Sequence, residues 1–217
     1  VMKPDWLKID LSSDRQSENT SGIIHANRLH TICESGLCPN RAECWRLGTA
    51  TLMIGGNICT RHCRFCNTPS GRPLPLDGDE PQRVAESVKE MNLKYVVLTS
   101  VDRDDLPDMG AEHWRQTVEA VRQLCPAKIE VLLPDFQGRD DLMDIVLLSR
   151  PDVVAHNIET VRRLTPVVRS VATYEGSLHV LRHIHEQGFV AKSGLMLGLG
   201  ETEAEVLQTL RDLRDSG

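Results

Sequence analysis

Cys59, Cys63 and Cys66 form a CxxxCxxC run, Cys59-Thr-Arg-His-Cys63-Arg-Phe-Cys66, which puts three thiolates on one short loop. Three thiolates so spaced can wrap a single cubane iron–sulfur cluster and leave its fourth iron open to a small molecule, which is a redox arrangement. Zinc would instead favour paired CxxC knuckles and a fourth Cys or His close by. His62 is the imidazole within the loop, but its place among Arg61 and Arg64 reads as a solvated position and not as a ligand. A second triplet, Cys33, Cys38 and Cys44, lies upstream with the spacing CxxxxCxxxxxC.

Six of the seven cysteines thus lie between Cys33 and Cys66. A secreted mini-protein would use such a cluster as a disulfide framework, but this chain is long, shows no signal peptide and confines its cysteines to one segment, so metal ligation is the better reading. Cys125, followed by Pro126, reads as a small buried apolar residue. The formal charge of -6 argues against a nucleic acid or an anionic membrane surface as main partner. No run of eighteen apolar residues occurs, and the start VMKPDWLKID has neither a basic stretch nor an apolar h-region. The expected compartment is the cytoplasm or, if a targeting segment preceded Val1, a mitochondrion or plastid.

The elements that must carry these cysteines follow from the apolar pattern. The first thirty residues, with SSDRQSENTSG in the middle, lack helical or strand periodicity and read as an extended arm. Short apolar runs at Thr51–Ile54, Tyr95–Thr99, Ile129–Leu133, Val153–Ala155 and Val190–Leu197 read as buried parallel strands. Amphipathic stretches separate them. Val84, Val88 and Met91 make one stripe, behind a first-turn Pro81; Trp114, Val118 and Val121 make a second; Leu178, Leu181 and Ile184 a third; Val206, Leu210 and Leu213 a fourth. Strand and helix in alternation give a parallel sheet with helices outside it, either an open doubly wound sheet or part of a barrel. In both, chemistry gathers at the carboxyl ends of the strands. There the chain carries GGNICTRHCRFC, SVDRDDLPD, PDFQG, HNIET and GLGET in turn. The acid cluster Asp102, Asp104, Asp105 and Asp108 is divided between a solvated loop and a structural role, and Thr202 before Glu205 has the form of a capping box.

The cluster loop, placed straight after a first apolar strand, resembles that of the radical S-adenosylmethionine enzymes. Both cysteine triplets together resemble the lipoyl synthase family, and TSVDRDDLPD, AEHW, EVLLPDFQG, RPDVVAHNIETV and KSGLMLGLGET follow that family's segments in order across nearly the whole chain. The resemblance implies an α/β fold, a partial (β/α) barrel of parallel strands at 49–217 preceded by a cysteine-bearing extension at 1–48. It implies two [4Fe-4S] clusters. Cys59, Cys63 and Cys66 would hold the catalytic one, whose open iron chelates S-adenosyl-L-methionine. Cys33, Cys38 and Cys44 would hold an auxiliary one, consumed as the sulfur source. The implied reaction inserts two sulfur atoms at C6 and C8 of an octanoyl chain on a lipoyl carrier domain; neither carbon has useful acidity, so a carbon radical is the available route. An electron donor is required, and a monomer is expected. Thr99, Ser100, Asn157, Glu159 and Met196 are carried over by position as cosubstrate contacts; Asn157 and Glu159 offer an amide and a carboxylate for the methionine amino group and ribose hydroxyls.

The sequence departs from the family in places. Asn67 stands where aspartate is common and Met109 where glycine is usual. The family's Arg-Ser-Ser-Tyr segment, the source of a serine ligand to the auxiliary cluster, does not occur before Gly217, which reads as truncation and leads to the expectation that the first cluster is held more firmly than the second. The alternatives are a non-catalytic iron–sulfur or zinc module, and a radical sulfur-inserting enzyme with another substrate.

Overall fold

The computed structural model describes residues 15–217. Five parallel strands form one sheet in the order β1 (Thr49–Ile54), β2 (Tyr95–Ser100), β3 (Lys128–Leu132), β4 (Val153–Ala155) and β5 (Ala191–Lys192). That strictly sequential order decides between the two architectures left open above. A doubly wound sheet reverses its strand order at a switch point, whereas right-handed crossovers that always step to the next neighbour keep every helix on one side and curl the sheet into part of a barrel.

Residues alternate between two faces along each strand. Val96 and Leu98 of β2 and Ile129 and Val131 of β3 are fully buried against the helices, while Thr99 and Leu132 turn inward to the concave side. The outer layer comprises α4 (Glu80–Glu90), α5 (Ala111–Leu124), α6 (Asp140–Leu147) and α8 (Tyr174–Glu186). Val84, Val88, Met91, Trp114, Val118 and Val121 are all essentially inaccessible, as their helical stripes require. Pro81 sits in the first turn of α4, where its missing N–H costs nothing. After β4 comes the single-turn α7 (Thr165–Val168), and α9 (Glu203–Arg214) ends the chain behind a capping box in which Thr202 and Glu205 satisfy each other's backbone N–H groups. The α9 stripe is largely open, with Leu210 half exposed.

Two expectations need correction. Part of the supposed extended arm is a helix, α1 (Arg15–Ala26); the arm's first fourteen residues lie outside the described ones. Its buried stripe is Ser17, Thr20, Ile23 and Ile24, so half of the inward positions are polar and the apolar period is hidden. Short helices α2 (Ile32–Ser35) and α3 (Arg41–Arg46) follow, and Ile24, Cys33 and Trp45 join the same core as β1 and β2. The second correction concerns the last strand, which covers two residues instead of Val190–Leu197. Beyond Lys192 the chain is drawn to the segment after β4: the Glu159 N–H donates to the Gly194 carbonyl (3.1 Å) and the Met196 N–H to the Glu159 carbonyl (2.8 Å). Glu159 adopts φ +66, which breaks a regular ladder there.

Candidate active site

The carboxyl ends of β1 to β4 open into a cavity of about 360 Å³ lined by Cys59, Cys63 and Cys66, by Thr99 and Ser100, by Asn157 and Glu159, and by Ile32 and Gly36 from the cysteine-bearing extension. Of the expected cosubstrate residues, Met196 alone is not among the lining residues; it reaches the site through its backbone bond to Glu159. Asn67 Nδ2 donates to the Ser35 carbonyl at 2.6 Å and joins the two cysteine segments directly.

The loop carrying Cys59 is built from β1 outward. Gly55, at φ +78, turns the chain at the strand end, and its peptide is clamped on both sides: its N–H donates to Glu80 Oε2 (2.8 Å), and Arg103 Nη1 donates to its carbonyl (3.1 Å). Glu80 in turn receives the ring nitrogen of His113 at 2.6 Å, with both side chains buried. The Cys59 N–H then pairs with the Pro69 carbonyl and the Gly71 N–H with the Cys59 carbonyl, closing the loop on itself. The far side is held by the segment after β4, where the Arg64 N–H donates to the Val168 carbonyl (2.8 Å) and the His62 N–H to Ser170 Oγ (3.2 Å). His62 itself is exposed, as a solvated residue would be.

All described cysteines are free. The Cys59 sulfur accepts two backbone N–H groups, from Arg61 (3.4 Å) and Asp102 (3.3 Å), a geometry that favours a thiolate. Burial nonetheless pushes the Cys59 thiol up to about 11, so without a cation beside it the sulfur stays protonated at neutral pH. In the second triplet, burial raises Cys44, and so do the neighbouring Cys38 and Cys33, which places the three thiols within electrostatic reach of one another. Three thiols on one cavity wall in the first triplet, and three neighbouring thiols in the second, are donor sets of the kind that a multi-atom cationic group takes. Among the described residues, no set of three or more His, Cys, Asp or Glu side chains closes on a single metal ion. Cys125 is half-buried and its thiol donates to the Val121 carbonyl at 3.3 Å, a packing role away from the cavity.

The acid cluster turns out to be structural, and each member has a named partner. Asp104 takes a bidentate pair from Arg61 (2.7 and 2.8 Å), Asp105 one from Arg103 (both 2.9 Å), and Asp108 accepts the Gly110 and Glu112 N–H groups at the start of α5. Asp102 lies beside Cys59 and 3.4 Å from Arg61. Its burial raises its pKa despite that cation.

Several site residues carry no pattern that a sequence reading could catch. Arg169 lines the cavity, is held by Ser177 Oγ (2.7 Å), and has a buried Nε with no hydrogen-bond partner. Burial pulls its pKa down against the attraction of Glu159, and burial raises the Glu159 carboxyl against a hydrogen bond from Asn157. His156 is fully enclosed between the Leu133 carbonyl (2.9 Å from Nδ1) and Ser177 Oγ (2.9 Å from Nε2). A carbonyl only accepts, so Nδ1 carries the proton and Nε2 accepts from Ser177. A single relay of bonds thus runs from Arg169 through Ser177 and His156 to the end of β3.

Comparison with known proteins agrees with this architecture. The Radical SAM superfamily profile matches residues 53–213. The lipoyl synthase of Parabacteroides distasonis is 58% identical over the whole chain, which spans 78% of that protein. That of Treponema denticola is 58% identical over 98% of the chain and 73% of the relative. Among solved structures, methylornithine synthase (PylB) superposes over 94% of this chain and 58% of its own with a TM-score of 0.63 at 16% identity. The hydrogenase maturase HydG from Carboxydothermus hydrogenoformans superposes over 91% of this chain and 52% of its own, with a TM-score of 0.61 at 14% identity. At those identities the structural likeness concerns the fold.

Proposed function

The chain belongs to the lipoyl synthase family of the Radical SAM superfamily, and from that premise we propose that it inserts two sulfur atoms at C6 and C8 of an octanoyl group carried by a lipoyl carrier domain. The observation that carries the proposal is the convergence of Cys59, Cys63 and Cys66 on a cavity whose other wall includes residues of the second cysteine segment. When bound, a [4Fe-4S] cluster at each triplet, together with S-adenosyl-L-methionine and an external electron donor, supplies the electron, the 5′-deoxyadenosyl radical and the sulfur.

The chain's own residues hold and orient these groups. Cys59, Cys63 and Cys66 take the catalytic cluster, with Cys59 Sγ stabilised as thiolate by the Arg61 and Asp102 N–H groups. Cys33, Cys38 and Cys44 take the auxiliary cluster on residues 1–48, docked to the barrel of residues 49–217 through Asn67 and Ser35. Thr99, Ser100, Asn157 and Glu159 line the cosubstrate side, and Gly194 gives Asn157 its room, since a Cβ there would lie 2.8 Å from Asn157 Oδ1. Met196 fixes the Glu159 backbone in its positive-φ turn. Apolar Met53, Phe65 and Leu132 in the same cavity wall suit a saturated chain and keep water from a carbon radical. Its bacterial relatives support placing it in the cytoplasm, and we propose that it acts there as a monomer. No described helix is long and apolar enough to cross a membrane.

The test is anaerobic incubation with dithionite, S-adenosyl-L-methionine and an octanoylated carrier peptide. The expected result is 5′-deoxyadenosine release together with a peptide carrying two added sulfur atoms. Nucleoside release without that product contradicts the substrate assignment, and release of neither contradicts the enzymatic reading.

A further inference from the structure

Arg61 lies between two cysteines of the cluster loop, yet its side chain is only 4% exposed and faces three carboxylates. Asp104 accepts from Nε and Nη2 at 2.7 and 2.8 Å, Asp135 from Nη2 at 2.8 Å, and Asp102 lies 3.4 Å from Nη1. The carboxylates come from two loops, Asp102 and Asp104 after β2 and Asp135 after β3. They are themselves held: Thr60 Oγ1 and Gln137 Nε2 donate to Asp104 (both 3.0 Å), and Asp135 accepts the Gln137 N–H (3.1 Å). Such an arrangement is costly unless every partner is present, because a buried guanidinium and buried carboxylates each lose their hydration. A loop that needed only to be solvated would leave this arginine in water, as Arg64 in the same loop is left.

We propose that Arg61 is a positioning residue, which locks the Cys59–Cys66 loop to the rims of β2 and β3 through Asp104 and Asp135 and sets the charge beside Cys59, so that it governs both retention and reduction potential of the cluster there. The proposal rests on the reading of that loop as a [4Fe-4S] site. Two consequences follow from the geometry. The planar fork spans Asp104 and Asp135 at once, which a lysine ammonium does not reproduce. The cation offsets part of a local excess of negative charge, and local charge is one of the quantities that set a cluster's potential. Removing the cation therefore lowers the potential, and removing one of the facing carboxylate charges raises it.

The test uses the full chain, wild type and the variants Arg61→Gln, Arg61→Lys and Asp135→Asn, each reconstituted anaerobically and desalted. Iron and sulfide per chain are counted, and the midpoint potential is followed by electron paramagnetic resonance on the signal that responds to added S-adenosyl-L-methionine. Circular dichroism checks that each variant is folded; if Arg61→Gln is not, Arg61→Lys and Asp135→Asn carry the test. Expected are cluster retention lowered about tenfold in Arg61→Gln, the lower end of what loss of such a supporting contact costs a metal site, and a more negative midpoint. Arg61→Lys loses retention but keeps the wild-type midpoint, and Asp135→Asn shifts it upward. Wild-type retention and midpoint in Arg61→Gln, or midpoint shifts of the same sign in Arg61→Gln and Asp135→Asn, overturn the proposal while leaving the cluster site intact. A wild-type chain that holds no cluster responsive to S-adenosyl-L-methionine overturns the site reading and the proposal with it.

Discussion

His156 makes stability depend on pH in a way that one substitution can isolate. The ring is 2% exposed, sits between an accepting carbonyl and the Ser177 hydroxyl, and burial next to the Arg169 cation lowers its pKa from 6.5 to about 4. The folded pKa is depressed, so the unfolded chain takes up the proton first. Between pH 6.5 and 4 the unfolded state binds more protons than the native one, and stability rises with pH across that window. Its contribution is fully present above pH 6.5, falls as the pH drops, and is lost near pH 4. A difference of two to three units corresponds to about 3 kcal/mol at 1.36 kcal/mol per unit, a large fraction of the roughly 5–15 kcal/mol by which a domain is stable. Urea unfolding of the cluster-free chain at pH 7, 6, 5 and 4.5, for wild type and His156→Asn, gives the required comparison. Groups remote from His156 contribute equally in both proteins and cancel in the difference, so what remains belongs to His156 and the Asp135 carboxylate it feels. The wild type should lose about 2–3 kcal/mol more than the variant over that range, whatever the variant's stability at pH 7. Parallel curves for the two proteins would refute the assignment of a buried neutral imidazole.

Three further perturbations probe the scaffold around the site. Glu80→Ala removes the partner of both His113 and the Gly55 N–H; leaving two buried donors unsatisfied should cost about 2–6 kcal/mol, read as a lower urea midpoint at unchanged slope, and a loss below about 1 kcal/mol would deny the clamp its role. Gly194→Ala drives a methyl into Asn157 Oδ1; isothermal titration of the reconstituted chain should show S-adenosyl-L-methionine binding weakened by about tenfold, the equivalent of one displaced polar contact, whereas unchanged binding would remove Asn157 from the cosubstrate site. Thr202→Ala opens the capping box of α9 and should cost about 1 kcal/mol, seen as faster hydrogen exchange at the Glu205 amide, with no change there if the cap is idle.

How much of this could be read from the residues depended on whether a feature repeats locally. The helices whose buried stripe is apolar, such as the one bearing Trp114, Val118 and Val121, announce themselves by period, and both cysteine triplets by spacing. The α1 helix does not, because Ser17 and Thr20 occupy half of its inward positions and tertiary packing against α3 and α4 takes the place of an apolar period. The run Val190–Leu197 looks like a strand but is diverted after two residues by Glu159, whose left-handed backbone is a property of three-dimensional context. The choice of a curled sheet over a doubly wound one lies in strand order, which no single segment encodes. Arg61 and Arg169 are the clearest cases of what stays hidden: each looks like an ordinary surface arginine until the loops after β2 and β3 close over the first and α8 and the cavity wall enclose the second.

In the proposed reaction the two triplets have different duties, and single-turnover assays on triplet variants separate them. With octanoylated carrier peptide, S-adenosyl-L-methionine and dithionite, replacement of Cys33, Cys38 and Cys44 by alanine should leave 5′-deoxyadenosine release intact and abolish sulfur insertion, while replacement of Cys59, Cys63 and Cys66 should abolish both. A peptide carrying two new sulfur atoms from the chain lacking Cys33, Cys38 and Cys44 would show that these cysteines are not the sulfur source's ligands.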